Sequence, residues 1–172
     1  MKYNLEYYDN LLRQYTRTAE YIVGIRWEFV KEVCPRTVLD YGCGVAWFRA
    51  FKPEGIKVDT YDIGPYPQTG IRQTQYDLLC LWDVLEHFKT REEIERVIQF
   101  SDHIALTIPL LHQGQRVEEW KHFKPGEHYQ YYTLEGLHSL FDNLGFYPIK
   151  QAQPECPPRV DIWSIIYQRR TK

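Results

Sequence analysis

Residues 38–44 read Val-Leu-Asp-Tyr-Gly-Cys-Gly: an apolar run ending in an acid, Asp40, followed by two glycines one residue apart, Gly42 and Gly44. Glycines at a strand-to-helix turn let the backbone approach a ligand closely, because no Cβ stands in the way. The helix that follows offers free backbone N–H groups at its start. A second acid, Asp62, ends another strand-like run over residues 57–62. In a nucleotide-binding βαβ unit, an acid at that place grips ribose hydroxyls. The dinucleotide fingerprint G-x-G-x-x-G/A requires a small residue at position 47, where this chain has Trp47, so a nicotinamide dinucleotide is excluded.

Two further segments extend the pattern. Residues 76–88 read Tyr-Asp-Leu-Leu-Cys-Leu-Trp-Asp-Val-Leu-Glu-His-Phe. Gly126-Glu127-His128-Tyr129 leads to Tyr132-Thr133 and then to a helical stretch ending at Gly145-Phe146. In this order the three segments resemble the class I S-adenosylmethionine-dependent methyltransferases, in their small-molecule subgroup with a Leu-Glu-His signature. Residues 38–46 are similar to that family's hydrophobic-Leu-Asp-x-Gly-x-Gly-x-Gly motif, with Ala46 in place of the last glycine. Alanine enters the positive-φ region less freely than glycine.

The resemblance covers most of the chain and implies an α/β fold of the Rossmann-like class I methyltransferase type. Its sheet would be mostly parallel, with an antiparallel strand near the C-terminus. The implied cofactor is S-adenosylmethionine. Gly42 and Gly44, with Cys43 between them, would lie beside its methionine part. Asp62 would take the ribose diol and Ile63 would pack on adenine. Asp40 would order the glycine turn or reach the amino group through water, and the backbone of Trp82 and Asp83 would also face that group.

Asp83, Glu86 and His87 form D-x-x-E-H, and His128 stands in the later loop. This is similar to the E-x-x-E-H…H set that holds a divalent metal in small-RNA 2′-O-methyltransferases, and to a related set in ubiquinone-pathway O-methyltransferases. Two carboxylates and two imidazoles can hold a metal, which would lower the pKa of a substrate hydroxyl. The first position is Asp rather than Glu, shorter by one methylene. The preferred reading is metal-free, with His87 or His128 as general base beside Glu86. Methyl transfer mostly needs in-line positioning, so a base is not obligatory. A helix-capping His87 and a loop-holding Glu86 are the structural alternatives. His112, Trp120, His122 and Tyr129 are candidates to line an acceptor pocket, whereas His103 and His138 read as structural or exposed.

Bulk properties narrow the field. The 172 residues fit one domain with a real core, at 44% hydrophobic and 16% aromatic content. We expect an N-terminal helical cover over residues 1–34 and a Rossmann-like core over residues 35–172. A net charge of −2 gives no excess for nucleic acid or an anionic membrane, and the basic tail at 169–172 reads as a solvated end. No apolar run approaches a membrane span, and the N-terminus does not read as a signal peptide. Four cysteines without CxxC spacing read as buried free thiols of a cytoplasmic protein.

Apolar residues Leu5, Tyr8, Leu12, Tyr15, Ala19 and Ile22 recur at helical spacing, and a second helix is expected to run to Val33 before Cys34-Pro35. The interval between Asp62 and Tyr76 carries Gly64, Pro65, Pro67 and Gly70 and is too short for a crossover helix plus a strand. The third strand of the class I sheet should therefore be reduced or absent, leaving six strands and placing Asp59 near a sheet edge. The segment with which the family usually reads the adenine amino group is then missing. The expected reaction is methyl transfer to an oxygen or nitrogen of a small molecule. The rival readings are a metal-assisted RNA 2′-O-methyltransferase and a non-enzymatic methyltransferase-fold binding protein. The absent basic patch counts against RNA.

Overall fold

The computed structural model describes residues 4–66, 68–157, 159 and 161–171, without the side chains of 11 and 14–17 in the first helix. Tyr15, counted above on the apolar face, therefore lies outside the described side chains. So do Pro67, Pro158 of the expected C-terminal turn, and Val160, expected to open the last strand.

Helix α1 (Leu5–Val30) begins at Asn4, whose side chain accepts the Tyr7 N–H at 2.9 Å. Two helices were expected here, but the structure has one of 26 residues followed by a 3-10 turn, Lys31–Val33. Gly24 is the weak point within it, but a single glycine costs only about 1 kcal/mol and does not end a helix. Cys34 ends the run in the left-handed region, at φ 49°, just before Pro35. The C-terminal half of α1 buries Val23, Trp27, Phe29 and Val30. Trp27 stacks on Phe48 with ring centroids 3.9 Å apart and donates its indole N–H to the Phe48 carbonyl at 3.1 Å.

The remaining elements are β1 (Thr37–Tyr41), α2 (Trp47–Ala50), β2 (Lys57–Tyr61), β3 (Leu78–Trp82), α3 (Arg91–Val97), β4 (His103–Pro109), α4 (Leu134–Asn143), β5 (Phe146–Ala152) and β6 (Ile162–Arg169). They build a six-stranded sheet in the order β2-β1-β3-β4-β6-β5. Strands β1 to β4 pair in parallel, and β6 is antiparallel to both of its neighbours. Every residue of β3 is buried, as a parallel strand covered on both faces requires.

One core layer gathers Leu39, Leu79, Leu81, Ile94, Leu106, Phe141 and Tyr167 between the sheet and helices α3 and α4. The other gathers Val38, Val58, Leu78, Cys80 and Ile166 against α1 and α2. The four cysteines are free, but Cys34 and Cys156 are exposed rather than buried. No helix among the described residues is long and apolar enough to cross a membrane.

The missing strand is confirmed among the described residues: between Tyr61 and Leu78 there is only an isolated bridge, Tyr76 to Ser101. The connecting loop covers the edge of β2 instead. Thr60 and Thr69 exchange backbone-to-hydroxyl bonds at 2.8 and 3.0 Å, and Gly70 N–H reaches the Thr60 carbonyl at 3.0 Å. Asp59 is accommodated at this edge by the Tyr76 hydroxyl, 2.8 Å away.

Ala46, standing where a third glycine was expected, adopts φ 59° and ψ 33° at the start of α2. A left-handed non-glycine residue costs roughly 1–2 kcal/mol. Ala46→Gly should therefore raise unfolding stability by about 1 kcal/mol, read as a shift of the urea midpoint at constant slope.

Candidate functional site

A cleft of about 930 Å³ opens where the carboxyl ends of the parallel strands converge, the place where open α/β sheets take ligands. Its floor is the turn after β1. Gly42 and Gly44 have φ of +79° and +54°, and a Cβ on Gly42 would stand 2.4 Å from a methyl of Val84. Close packing against the loop after β3 thus demands this glycine. The N–H groups of Gly42 and Cys43 both go to the Tyr61 carbonyl, at 2.7 and 3.1 Å.

Asp62 projects from the end of β2. Its Oδ2 accepts the Gly44 N–H at 2.8 Å. Its Oδ1 accepts the Gly64 N–H at 2.7 Å and the Tyr8 hydroxyl at 3.0 Å. Ile63, beside it on the cleft wall, is 73% exposed. The Cys43 thiol is pushed up to about 12 by burial and then by Asp40, so it carries no thiolate chemistry.

The side chains of Asp40 and Trp82 do not line the cleft. Asp40 is buried, and no described N–H or O–H donates to its carboxylate. The glycine turn is ordered by Tyr61 and Asp62, not by Asp40. Burial pushes the Asp40 carboxyl up to about 7, against the pull of Arg26. The Trp82 ring packs against Phe48, with centroids 5.2 Å apart, and under the Arg26 guanidinium at 5.0 Å, so its side chain is a core element, while the expectation for this residue concerned its backbone alone.

Asp83 follows in the left-handed region, at φ 58°. Arg159 grips its carboxylate with two bonds, of 2.8 and 3.0 Å, and Arg26 adds a third at 3.0 Å. The fully buried Glu155 completes the group, taking Arg26 at 2.7 Å and Arg159 at 2.6 Å. Burial pushes the Asp83 carboxyl up, and the two guanidiniums more than offset this, holding it well below the usual range. Both Asp83 oxygens are committed to arginines, which removes it from the candidate metal ligands.

Glu86, His87 and His128 do come together. The Glu86 carbonyl accepts the N–H groups of Tyr129 and Gln130, at 2.8 and 3.2 Å, and so stitches the turn after β3 to the loop after β4. One oxygen or nitrogen from each of the three side chains lies within 4.8 Å of the others. The two imidazoles stand perpendicular, with centroids 4.8 Å apart. His87 Nδ1 lies 3.0 Å from the Glu127 carbonyl, which favours a proton on Nδ1 and leaves Nε2 as the basic nitrogen. Glu86 Oε2 and His128 Nδ1 are buried without a hydrogen-bond partner among the described residues.

Burial, then the Asp83 charge, pushes Glu86 up to about 8. Burial, then His87, brings His128 down to about 4, and burial lowers His87 as well. In the metal-free protein near neutral pH, Glu86 is therefore mostly protonated and His128 is neutral.

Of the loop residues expected at the pocket, only His122 lines the cleft. Trp120 is buried beside it, with ring centroids 5.0 Å apart. His112 is exposed near Asp161, and Tyr129 lies under the Lys89 ammonium. His138 is structural, bridging the Tyr167 hydroxyl and Gln151 at 2.8 and 2.9 Å. Unforeseen wall residues are Tyr41, Phe88, Arg96, Lys124 and Arg159. Nothing in their local sequence marked them, whereas Tyr8 was visible as part of the apolar face of α1.

A profile of the family described as methyltransferase domain matches residues 13–151. The chain belongs to this family. A search of curated proteins finds no match. Among solved structures, the chain is similar to magnesium protoporphyrin IX methyltransferase from Synechocystis PCC 6803 with bound SAH, at 18% identity and TM-score 0.71, covering 98% of this chain and 97% of that one. It is also similar to the 1,6-didemethyltoxoflavin-N1-methyltransferase of Burkholderia thailandensis, at 15% identity and TM-score 0.60, covering 91% and 78%. A small RNA methyltransferase matches at 12% identity and TM-score 0.60, over 90% of this chain but 25% of that one. These likenesses show a class I methyltransferase fold.

The buried site sets a pH dependence. Glu86 holds its proton to about pH 8 when folded and loses it near 4.5 when unfolded. Between those limits the native state binds the extra proton, so stability falls as pH rises. His128 acts oppositely, but only between about 4 and its ordinary 6.5. From pH 7 to 8, above the range of His128 and of the Asp40 carboxyl raised to about 7, the Glu86 effect amounts to on the order of 1 kcal/mol per pH unit. Chemical denaturation with a chelator present should show this decline, and Glu86→Gln should flatten it.

Proposed function

We propose that the protein transfers a methyl group from S-adenosylmethionine to an oxygen or nitrogen of a small molecule. The observation that carries this reading is one continuous cleft with Asp62 and the glycine turn at one end and Glu86, His87 and His128 at the other. Its volume lies in the range of cofactor and small-molecule sites. The residues suit the cofactor: the carboxylate of Asp62 for the ribose diol, Ile63 for adenine, and Gly42 to Gly44 beside the methionine part. Ile71, on the loop replacing the third strand, lines the same cleft. Structural relatives are named for small acceptors, magnesium protoporphyrin IX and 1,6-didemethyltoxoflavin, and both of those structures hold S-adenosylhomocysteine.

Bound there, the cofactor supplies an electrophilic methyl group on a sulfonium. The chain's own residues hold the acceptor in line and manage its proton. His87, with Nδ1 turned to the Glu127 carbonyl, presents Nε2 to receive that proton. The more strongly lowered His128 is the poorer base. Protonated Glu86 has an O–H to donate to the acceptor or to His128, whose Nδ1 awaits a donor. Tyr41 and Phe88 add aromatic walls to the cleft, with ring centroids 6.1 Å apart and Tyr41 packed on Tyr61 beside Asp62, where they suit the planar adenine.

A second reading follows from the same two unpartnered atoms. Glu86, His87 and His128 offer one carboxylate and two imidazoles, a donor set that suits a transition-metal cation. A cation there would ionise Glu86 and lower the pKa of an acceptor hydroxyl. Asp83 would take no part. The net charge of −2 gives no overall excess of positive charge for RNA.

Calorimetry with S-adenosylhomocysteine should show one binding site per chain. Asp62→Ala should weaken it by roughly 10- to 100-fold, the loss of a charge-assisted acceptor of about 1.5–3 kcal/mol. No heat from the unmutated protein would leave the non-enzymatic reading. His87→Ala should lower turnover of an accepted substrate without changing cofactor affinity. A chelator that abolishes turnover selects the metal-assisted reading, and one without effect selects His87 as base.

A further inference from the structure

The amino-terminal arm of α1 reaches into the cleft at the place the cofactor reading reserves for ribose. Tyr8 is 3% exposed and, among the described side chains of residues 4–18, is the only buried one before Ala19. Its hydroxyl donates to Asp62 Oδ1 at 3.0 Å. An ionised carboxylate offers about four acceptor positions. On Asp62 three are filled, by Tyr8, by Gly64 N–H and by Gly44 N–H. A ribose diol brings two hydroxyl donors, and one position remains.

The ring fills space as well as a lone pair. A Cβ on Gly64 would stand 2.2 Å from the Tyr8 hydroxyl oxygen and 2.7 Å from its ring carbons, and one on Gly44 would stand 3.8 Å from the ring. The absence of a side chain at Gly64 is thus used by Tyr8 itself, whereas a Cβ at Gly44 would only touch the ring. The remainder of α1 is held differently. Val23, Trp27 and Val30 sit in the core, so the carboxyl half is fixed. The buried run of the helix resumes at Ala19, with Ile22 and Val23 following it.

We infer that the Tyr8 hydroxyl stands in for a ribose hydroxyl on Asp62, so that the arm of α1 must withdraw before S-adenosylmethionine can take both of its bonds there. This rests on the cofactor reading above. The arm then competes with the cofactor, and cofactor affinity is set partly by the cost of releasing Tyr8. Withdrawal also uncovers Gly44 and Gly64, so one movement frees the acceptor and the space.

The test is calorimetry of S-adenosylhomocysteine with the full chain and with Tyr8→Phe, each checked for an unchanged fold by thermal melting. Because the phenol competes, Tyr8→Phe should bind more tightly, by about tenfold, the equivalent of one hydrogen bond to a charged group. Amide hydrogen exchange over residues 5–12 of the unmutated protein should speed up at saturating S-adenosylhomocysteine. Binding by Tyr8→Phe alone would also support the inference. Equal or weaker binding by Tyr8→Phe, or slower exchange in the arm, would overturn it, because Tyr8 would then close over the cofactor as part of its site. The cofactor reading would stand in that case. Binding by neither protein would remove both.

Discussion

Four buried or half-buried charges, Arg26, Asp83, Glu155 and Arg159, hold together parts of the chain that share no sequence neighbourhood. Arg26 comes from α1, Asp83 from the end of β3, and the other two from the connection between β5 and β6. The group is neutral as a whole, which is the condition under which such charges can leave water. Removing one member strands the others, and a broken buried pair costs roughly 3–5 kcal/mol. The arginines also hold Asp83 at its positive φ, while its N–H is engaged by the Thr107 carbonyl and hydroxyl at 3.1 and 3.0 Å. The chain leaves Asp83 in one fixed direction, and the turn carrying Glu86 and His87 follows three residues later. The acceptor half of the cleft is in this sense built on an ion-pair network that does not itself line up as chemistry.

The cofactor half depends on a different constraint. With no third strand, β2 is an edge, and its exposed backbone is satisfied by Gln68, Thr69 and Gly70 from the short connecting loop. The Gln68 side chain accepts the Asp62 N–H at 2.6 Å and donates to the Asp62 carbonyl at 2.7 Å. The loop that replaces the strand therefore also fixes the residue that addresses ribose. Shortening the fold here did not free Asp62. It exchanged one means of holding it for another.

What could be read from the sequence was local. The glycine turn, the buried run of β3, the Glu86-His87 pair and the interval too short for a third strand are each properties of a few adjacent residues. Strand parity was also available. Val38 faces α1, so Asp40, two residues on, must face α1 as well, beside Arg26 rather than in the cleft. Leu78, Cys80 and Trp82 share a face for the same reason, which places the Trp82 ring in the core. The quartet around Asp83 was not legible, because its pairing spans most of the chain and each arginine alone looks like a surface charge. A second helix was expected to run to Val33, but one helix is continuous from Leu5 to Val30, with Trp27 and Val30 packed into the core.

On the proposed function, one cleft holds a methyl donor on Asp62 and an acceptor at Glu86, His87 and His128. A crystal structure of the protein with S-adenosylhomocysteine measures it most directly. The ribose hydroxyls should lie on the Asp62 carboxylate and the cofactor sulfur should turn along the cleft toward the two imidazoles, with room for an acceptor between them. Cofactor bound away from Asp62, or with its sulfur facing solvent while both histidines point elsewhere, would contradict it.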